Sequence, residues 1–198
     1  DEETLVPKFV RPGNPLRLNQ SYIFPEDDNF EINFKKINQL WVWEKPKEGH
    51  RYILGCDVSR GDSEDFTSII IIDFDERCQV LEYLGKIPPD LAADIIYKWG
   101  SMYKAYVVTD ITGGMGVATS RKLQELGYKD LYVEGMNTAD KWKYNPTAAS
   151  KTPGLAFNNK RSQIVAAFEE ALRHKFTLRS KRLLNELHTF VYINGKPN

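Results

Sequence analysis

Apolar and polar positions divide the chain into a leading stretch with no period, a block of short strands, and a block in which strands alternate with helices. In residues 1–40, Pro7, Pro12, Pro15 and Pro25 interrupt polar sequence and Glu26-Asp27-Asp28 is acidic. That pattern predicts an extended arm or linker, with the folded domain spanning 41–198. Leu40-Trp-Val-Trp43 alternates and predicts an edge strand with Trp41 and Trp43 on one face, where they anchor the arm to the core. Tyr52–Val58, Phe66–Ile72 and Cys78–Ile87 are short runs rich in β-branched and aromatic residues separated by tight polar turns, which predicts an antiparallel meander. Ile69 to Ile72 leave that strand no polar face, so it is expected to be covered on both sides.

The period then changes. Pro88-Pro89-Asp90 opens a helix whose stripe is Leu91, Ile95, Trp99 and Met102. Ala105–Asp110 reads as a strand, Val117–Leu126 as a helix closed by Gly127, and Asp130–Glu134 as a short strand. Residues 135–157 carry no element, and loops of that length in compact domains are usually functional or disordered. A helix starting near Asn158 presents Ile164, Phe168 and Leu172, Phe176–Leu178 is a short strand, and Ser180 caps a last helix with Leu183, Leu184, Leu187 and Val191 inside. The layout is α/β: three antiparallel strands, then parallel strands, in one mixed sheet flanked by helices.

Two of these strands end on a carboxylate. Asp57 closes the first strand of the meander and Asp110 closes the strand after the first long helix. A carboxylate at the end of a buried strand is costly unless it is paired or bound to a cation. Asp57 could simply cap the turn through Ser59 and Gly61. If the two strands lie side by side and parallel, however, both acids meet at one edge, outside the carboxyl ends where such sheets place ligands. Two bare carboxylates would repel and keep one proton between them. An all-oxygen site removes that conflict with Mg²⁺ or Mn²⁺, and two such ions about 4 Å apart form the phosphodiesterase arrangement.

Charge supplies the other half of the picture. The net charge is zero, but residues 1–140 carry 24 acidic and 16 basic side chains, against 3 and 11 in residues 141–198. A basic C-terminal part suits a polyanion such as DNA, with Lys151, Lys160, Arg161, Arg173, Lys175, Arg179, Lys181 and Arg182 as candidate phosphate contacts. No helix-turn-helix or zinc-finger pattern is present, so sequence-specific binding is not expected. His50, His174 and His188 sit beside no acidic strand end and are not expected to be ligands. Cys56 and Cys78 form no C-x-x-C pair, which argues against zinc and for a reducing compartment. Asp1-Glu-Glu is no signal peptide, and no apolar run approaches the roughly 20 residues of a membrane span.

The segment Tyr52-Ile-Leu-Gly-Cys-Asp57-Val-Ser-Arg-Gly61-Asp-Ser-Glu-Asp65-Phe resembles the first catalytic segment of the nuclease domain of phage large terminases. Val107-Val-Thr-Asp110-Ile-Thr-Gly113-Gly-Met-Gly116 is similar to the family's second acidic strand and glycine turn, and Lys151-Thr-Pro-Gly154 with Asn159-Lys160 to its later basic loop. The resemblance covers about residues 35–195 and implies a ribonuclease H-like fold, with metal-dependent cleavage of concatemeric double-stranded DNA during genome packaging in the host cytoplasm. It implies Asp57 and Asp110 as metal ligands, the latter where many members have Glu, and Asp65 as an outer acid in the catalytic set. Arg60 stands where some members carry an acid and receives no role. Implied partners are double-stranded DNA, a packaging ATPase domain, the portal and the small terminase subunit. The sequence departs from the family pattern twice. No Asp-Asp motif follows the last helix, where Glu186 is the remaining acid and reads as surface charge. No G-x-x-x-x-G-K-[ST] occurs, so the ATPase domain is missing and the expectation is a fragment with a shortened C-terminal end. A junction resolvase of the same fold, and a DNA- or portal-docking module without chemistry, are the alternatives.

Overall fold

The computed structural model describes residues 40–62, 64–134, 152–158, 160–189, 192–193 and 196–197. The arm, apart from Leu40, and most of the element-free stretch, Lys151 included, lie outside the described residues. Five strands form one sheet: β1 (Leu40–Val42), β2 (Tyr52–Asp57), β3 (Thr67–Asp73), β4 (Cys78–Gly85) and β5 (Tyr106–Thr109), in the order β1-β4-β3-β2-β5. The β2-β3-β4 meander is antiparallel, β1 pairs antiparallel with β4, and β5 lies parallel to β2. This is the mixed ribonuclease H-like sheet. The parallel pair requires a crossover, supplied by α1 (Pro89–Tyr103), which Pro88 precedes as N-cap. Helix α2 (Gly114–Glu125) packs against α1. Helices α3 (Arg161–Arg173) and α4 (Lys181–Thr189) follow, with a two-stranded ribbon of β6 (Tyr192–Ile193) and β7 (Lys196–Pro197).

The core lies on one side of the sheet, where Leu54, Cys56, Ile69, Ile71, Val80 and Leu81 meet Ala92, Ile95, Ile96 and Trp99 of α1. Cover is uneven. Ile69 and Ile71 are fully buried, whereas Ile70 and Ile72 on the opposite face are half-buried, so the expected cover on the second side is partial. Ile164, Phe168 and Leu172 of α3 and Leu183, Leu184 and Leu187 of α4 are half-buried as well, and Val191 lies outside the described residues.

Several expected boundaries move for local reasons. Helix α2 begins at Gly114, before the expected Val117, because Gly116 sits inside its first turn. Asp130–Glu134 is no continuous strand: Leu131 bridges Val107, then Val133 bridges Gly154, while Leu155 takes the place beside Asp110. Phe176–Leu178 contributes one bridge, Cys78 to Thr177. Trp43 falls just past β1, donating its backbone N–H to the Val80 carbonyl at 2.8 Å. It is buried and meets Trp41 edge-on at 6.0 Å; the arm that the two were expected to anchor lies outside the described residues.

Candidate active site

Parallel pairing puts Cys56 beside Thr109, and the next residue on each strand is an aspartate. Asp57 and Asp110 therefore emerge side by side at the carboxyl ends of β2 and β5, on the sheet face opposite the α1–α2 layer. The Asp110 backbone N–H donates to the Cys56 carbonyl at 2.8 Å, which fixes this alignment at the acids themselves. The Asp57 carboxyl is pushed above its usual range, mainly by burial of its inner side, then by Asp110 and Asp65; the Val58 backbone amide opposes the shift. One Asp110 oxygen accepts the Thr112 N–H at 2.8 Å, an Asx turn that holds the side chain in place.

Both loops behind the acids are rigid by construction. After β2, the Ser59 N–H donates to Thr67 Oγ1 at 3.1 Å, and Gly61 adopts φ +85°. A Cβ on Gly61 would lie 2.5 Å from the Ile87 carbonyl carbon, so the turn closes against the end of β4 only with glycine there. After β5, a Cβ on Gly116 would lie 1.7 Å from the Asp110 carbonyl oxygen. The start of α2 thus presses on the backbone of the second acid.

An open cleft of about 520 Å³ runs from Asp57 along this face, lined by Ser59, Glu64, Asp65, Glu82 and Glu186 among others. Asp65 is exposed and lines the cleft. Glu186, expected as plain surface charge, also lines it, and so does Glu82, which sequence reasoning missed. A usable signal existed for Glu82: it is a lone acid inside the apolar run Val80-Leu-Glu-Tyr-Leu84.

The basic candidates scatter into several roles. Arg161, Arg173, Lys175 and Lys181 are exposed. Lys160 pairs with Glu134. Arg182 lies 3.2 Å from Glu82 and 4.0 Å above the Trp41 ring. Arg179 is buried and paired with Glu44, so its guanidinium is engaged inside the fold and does not face solvent. His50 pairs with the buried Asp73 at 2.8 Å, away from the acids.

Asp57 and Asp110 form a donor set suited to a hard divalent ion, since mutual repulsion already disfavours the doubly ionised pair without one. Among the described residues no three acidic, His or Cys side chains converge on one point. The pair would thus supply two carboxylates and leave the remaining positions to water, a coordination Mg²⁺ commonly keeps.

No protein-family model and no curated protein matches the sequence. Solved structures do match in fold. The large terminase nuclease from thermophilic phage G20c with bound magnesium superposes with a TM-score of 0.60 at 18% identity, covering 81% of this chain and 77% of that one. The same nuclease with bound cobalt gives 0.59 at 18% identity, covering 79% and 72%. The Thermus phage P74-26 large terminase nuclease domain gives 0.55 at 17% identity, covering 79% and 70%. The chain therefore has the ribonuclease H-like fold of large terminase nuclease domains. Among the described residues no helix is long and apolar enough to cross a membrane.

Proposed function

We propose that this chain is the metal-dependent endodeoxyribonuclease domain of a large terminase, cutting concatemeric double-stranded DNA during packaging. The observation that supports it above the others is the in-register placement of Asp57 and Asp110 at adjacent parallel strand ends. In this reading Asp57 and Asp110 hold Mg²⁺ or Mn²⁺ against the scissile phosphate, and a divalent ion there supplies activation of the attacking water and charge stabilisation at the leaving oxygen. Thr112 keeps Asp110 aimed, Asp65 serves as an outer acid at the rim of the site, and the exposed Arg161, Arg173, Lys175 and Lys181 hold the phosphate backbone. A packaging ATPase domain, the portal and a small terminase subunit are the partners this function would require.

A docking module that binds DNA without cutting is the second reading, favoured by the lack of a third converging acid among the described residues. Supercoiled plasmid incubated with Mn²⁺ separates the two. Linear product that disappears in Asp57→Ala and in Asp110→Ala supports the nuclease. Retained DNA binding with no cleavage by the unmodified chain supports the docking module. Four-way junctions cut in preference to duplex would shift the assignment to a resolvase.

A further inference from the structure

The acid end of the sheet exposes a large apolar ring. Phe66, the residue before β3, is 52% exposed, although Thr67 beside it is completely buried. The last rung of the β3–β4 pair joins Thr67 to Gly85, so Phe66 and Lys86 stand opposite each other one residue beyond it. Lys86 is exposed, and its Nζ lies 5.1 Å from the centroid of the Phe66 ring. Asp57 pairs with Ser68, two residues after Phe66, so strand alternation sends Phe66 to the same side as Asp57. Both side chains line the cleft. The ring also stands on fixed backbone. Thr67 Oγ1 accepts the Ser59 N–H at 3.1 Å and donates to the Ile87 carbonyl at 3.4 Å. One hydroxyl thus ties the loop after β2, the start of β3 and the end of β4, and the ring cannot sink into the fold by local collapse.

A single exposed Phe is ordinary on any surface, and it is the neighbours that give this one a use. The cleft wall carries Asp57, Glu64, Asp65, Glu82 and Glu186 and neither Lys nor Arg, so it repels phosphate. A nucleic-acid strand that reaches Asp57 therefore needs an uncharged contact and a cation at the rim. Phe66 and Lys86 supply that combination: an aromatic face stacks on any base, and an ammonium binds phosphate as a point charge. The contact between Lys86 and the ring is weak at an exposed site, which leaves the lysine able to swing to a phosphate. Bases inside an intact duplex have no free face, so the ring can take only an unpaired base. We propose that Phe66 and Lys86 form a nucleotide subsite beside Asp57, in which the ring stacks on an unpaired base and Lys86 holds the adjoining phosphate. The purpose of such a subsite rests on the nuclease reading: it grips a strand next to the acids where the duplex is opened or already nicked.

The test is fluorescence anisotropy of the full chain at low salt in EDTA, where binding is read without cutting. The probes are a labelled intact duplex and the same duplex with a short single-stranded gap. Phe66→Ala is expected to weaken binding of the gapped duplex about tenfold and of the intact duplex less than about twofold. Phe66→Trp should keep the gapped-duplex affinity, whereas Phe66→Leu should behave like Phe66→Ala, because stacking needs a flat ring and not merely apolar area. Lys86→Gln should reduce the salt slope for the gapped duplex by about one unit. The ring is exposed, so these variants are expected to fold, which thermal melting verifies. No binding of the gapped duplex by the unmodified chain, equal losses on the two probes, or Leu serving as well as Trp overturns the stacking. An unchanged slope in Lys86→Gln overturns the phosphate contact. None of these measurements needs cleavage, so the plasmid experiment decides the nuclease reading separately.

Discussion

At Asp57 two demands collide: the strand end must pack, and the carboxyl must stay available. Burial and the neighbouring Asp110 raise its pKa, so the folded chain holds a proton there more tightly than the unfolded chain does. The sign follows directly. A raised carboxyl pKa means that ionised Asp57 opposes folding at neutral pH, and that this opposition fades as pH falls toward the ordinary value of about 3.9. Asp57→Asn should therefore melt at the same temperature as the unmodified chain or higher in metal-free buffer at pH 7. The difference should shrink toward pH 4, and Mn²⁺-dependent cleavage should be lost. A sharp drop in melting temperature at pH 7 without metal would make Asp57 a structural cap. Gly116 gives a second test at this scale. Gly116→Ala drives a Cβ against the Asp110 carbonyl. Backbone is the unyielding partner, so the loss should be about 2–3 kcal/mol, seen as a denaturant midpoint shift, with cleavage reduced beyond what the lost stability explains.

At the scale of elements, α4 matters because it brings Glu186 to the cleft and Arg182 to Glu82. Its start is tied to the sheet at Gln79, and Arg182 adds contacts to Glu82 and Trp41. Buried Gln79 on β4 accepts the backbone N–H groups of Arg179 at 3.0 Å and Ser180 at 2.9 Å, and Ser180 Oγ then accepts the Leu183 N–H at 3.1 Å. Gln79→Leu leaves two buried donors unpaired and should destabilise by about 2–5 kcal/mol, whereas Ser180→Ala removes a cap worth about 1 kcal/mol. Hydrogen exchange should show α4 amides losing protection first in Gln79→Leu; uniform loss across α1 and α4 would contradict this. The meander, α1, β5 and the two acids were legible in the sequence because each rests on a local signal: alternation, a helical stripe, a carboxylate ending an apolar run. What was not legible depends on distant partners. Gly116 reads as a helix breaker until the Asp110 carbonyl is seen beneath it. Residues 131–133 read as a strand until Gly154 and Leu155 take over the edge. Glu186 becomes a cleft residue only once α4 is seen to lie against this sheet face.

For the molecule as a whole, the uneven charge along the chain becomes an acidic cleft beside exposed cations on α3 and at the start of α4. If the nuclease reading holds, duplex DNA should be held by these exposed cations and not by the acidic cleft wall. Phosphate contacts release counterions, so affinity should fall linearly in log–log plots against salt, by about 0.9 of slope per contact. Reversal of charge at Arg161 or Lys181 should weaken duplex binding evenly across sequences and reduce the slope by about one unit, with melting temperature unchanged. Arg179 belongs to a different class despite its position in the same basic stretch. Its guanidinium is paired with Glu44 inside the fold, so Arg179→Glu sets a buried carboxylate against half-buried Glu44 and should lower the melting temperature before it alters DNA binding. Fluorescence anisotropy from 50 to 300 mM salt, run beside thermal melts of the three variants, separates these cases. Equal salt slopes for the unmodified chain and for Arg161→Glu and Lys181→Glu would remove the α3 and α4 cations from the DNA path.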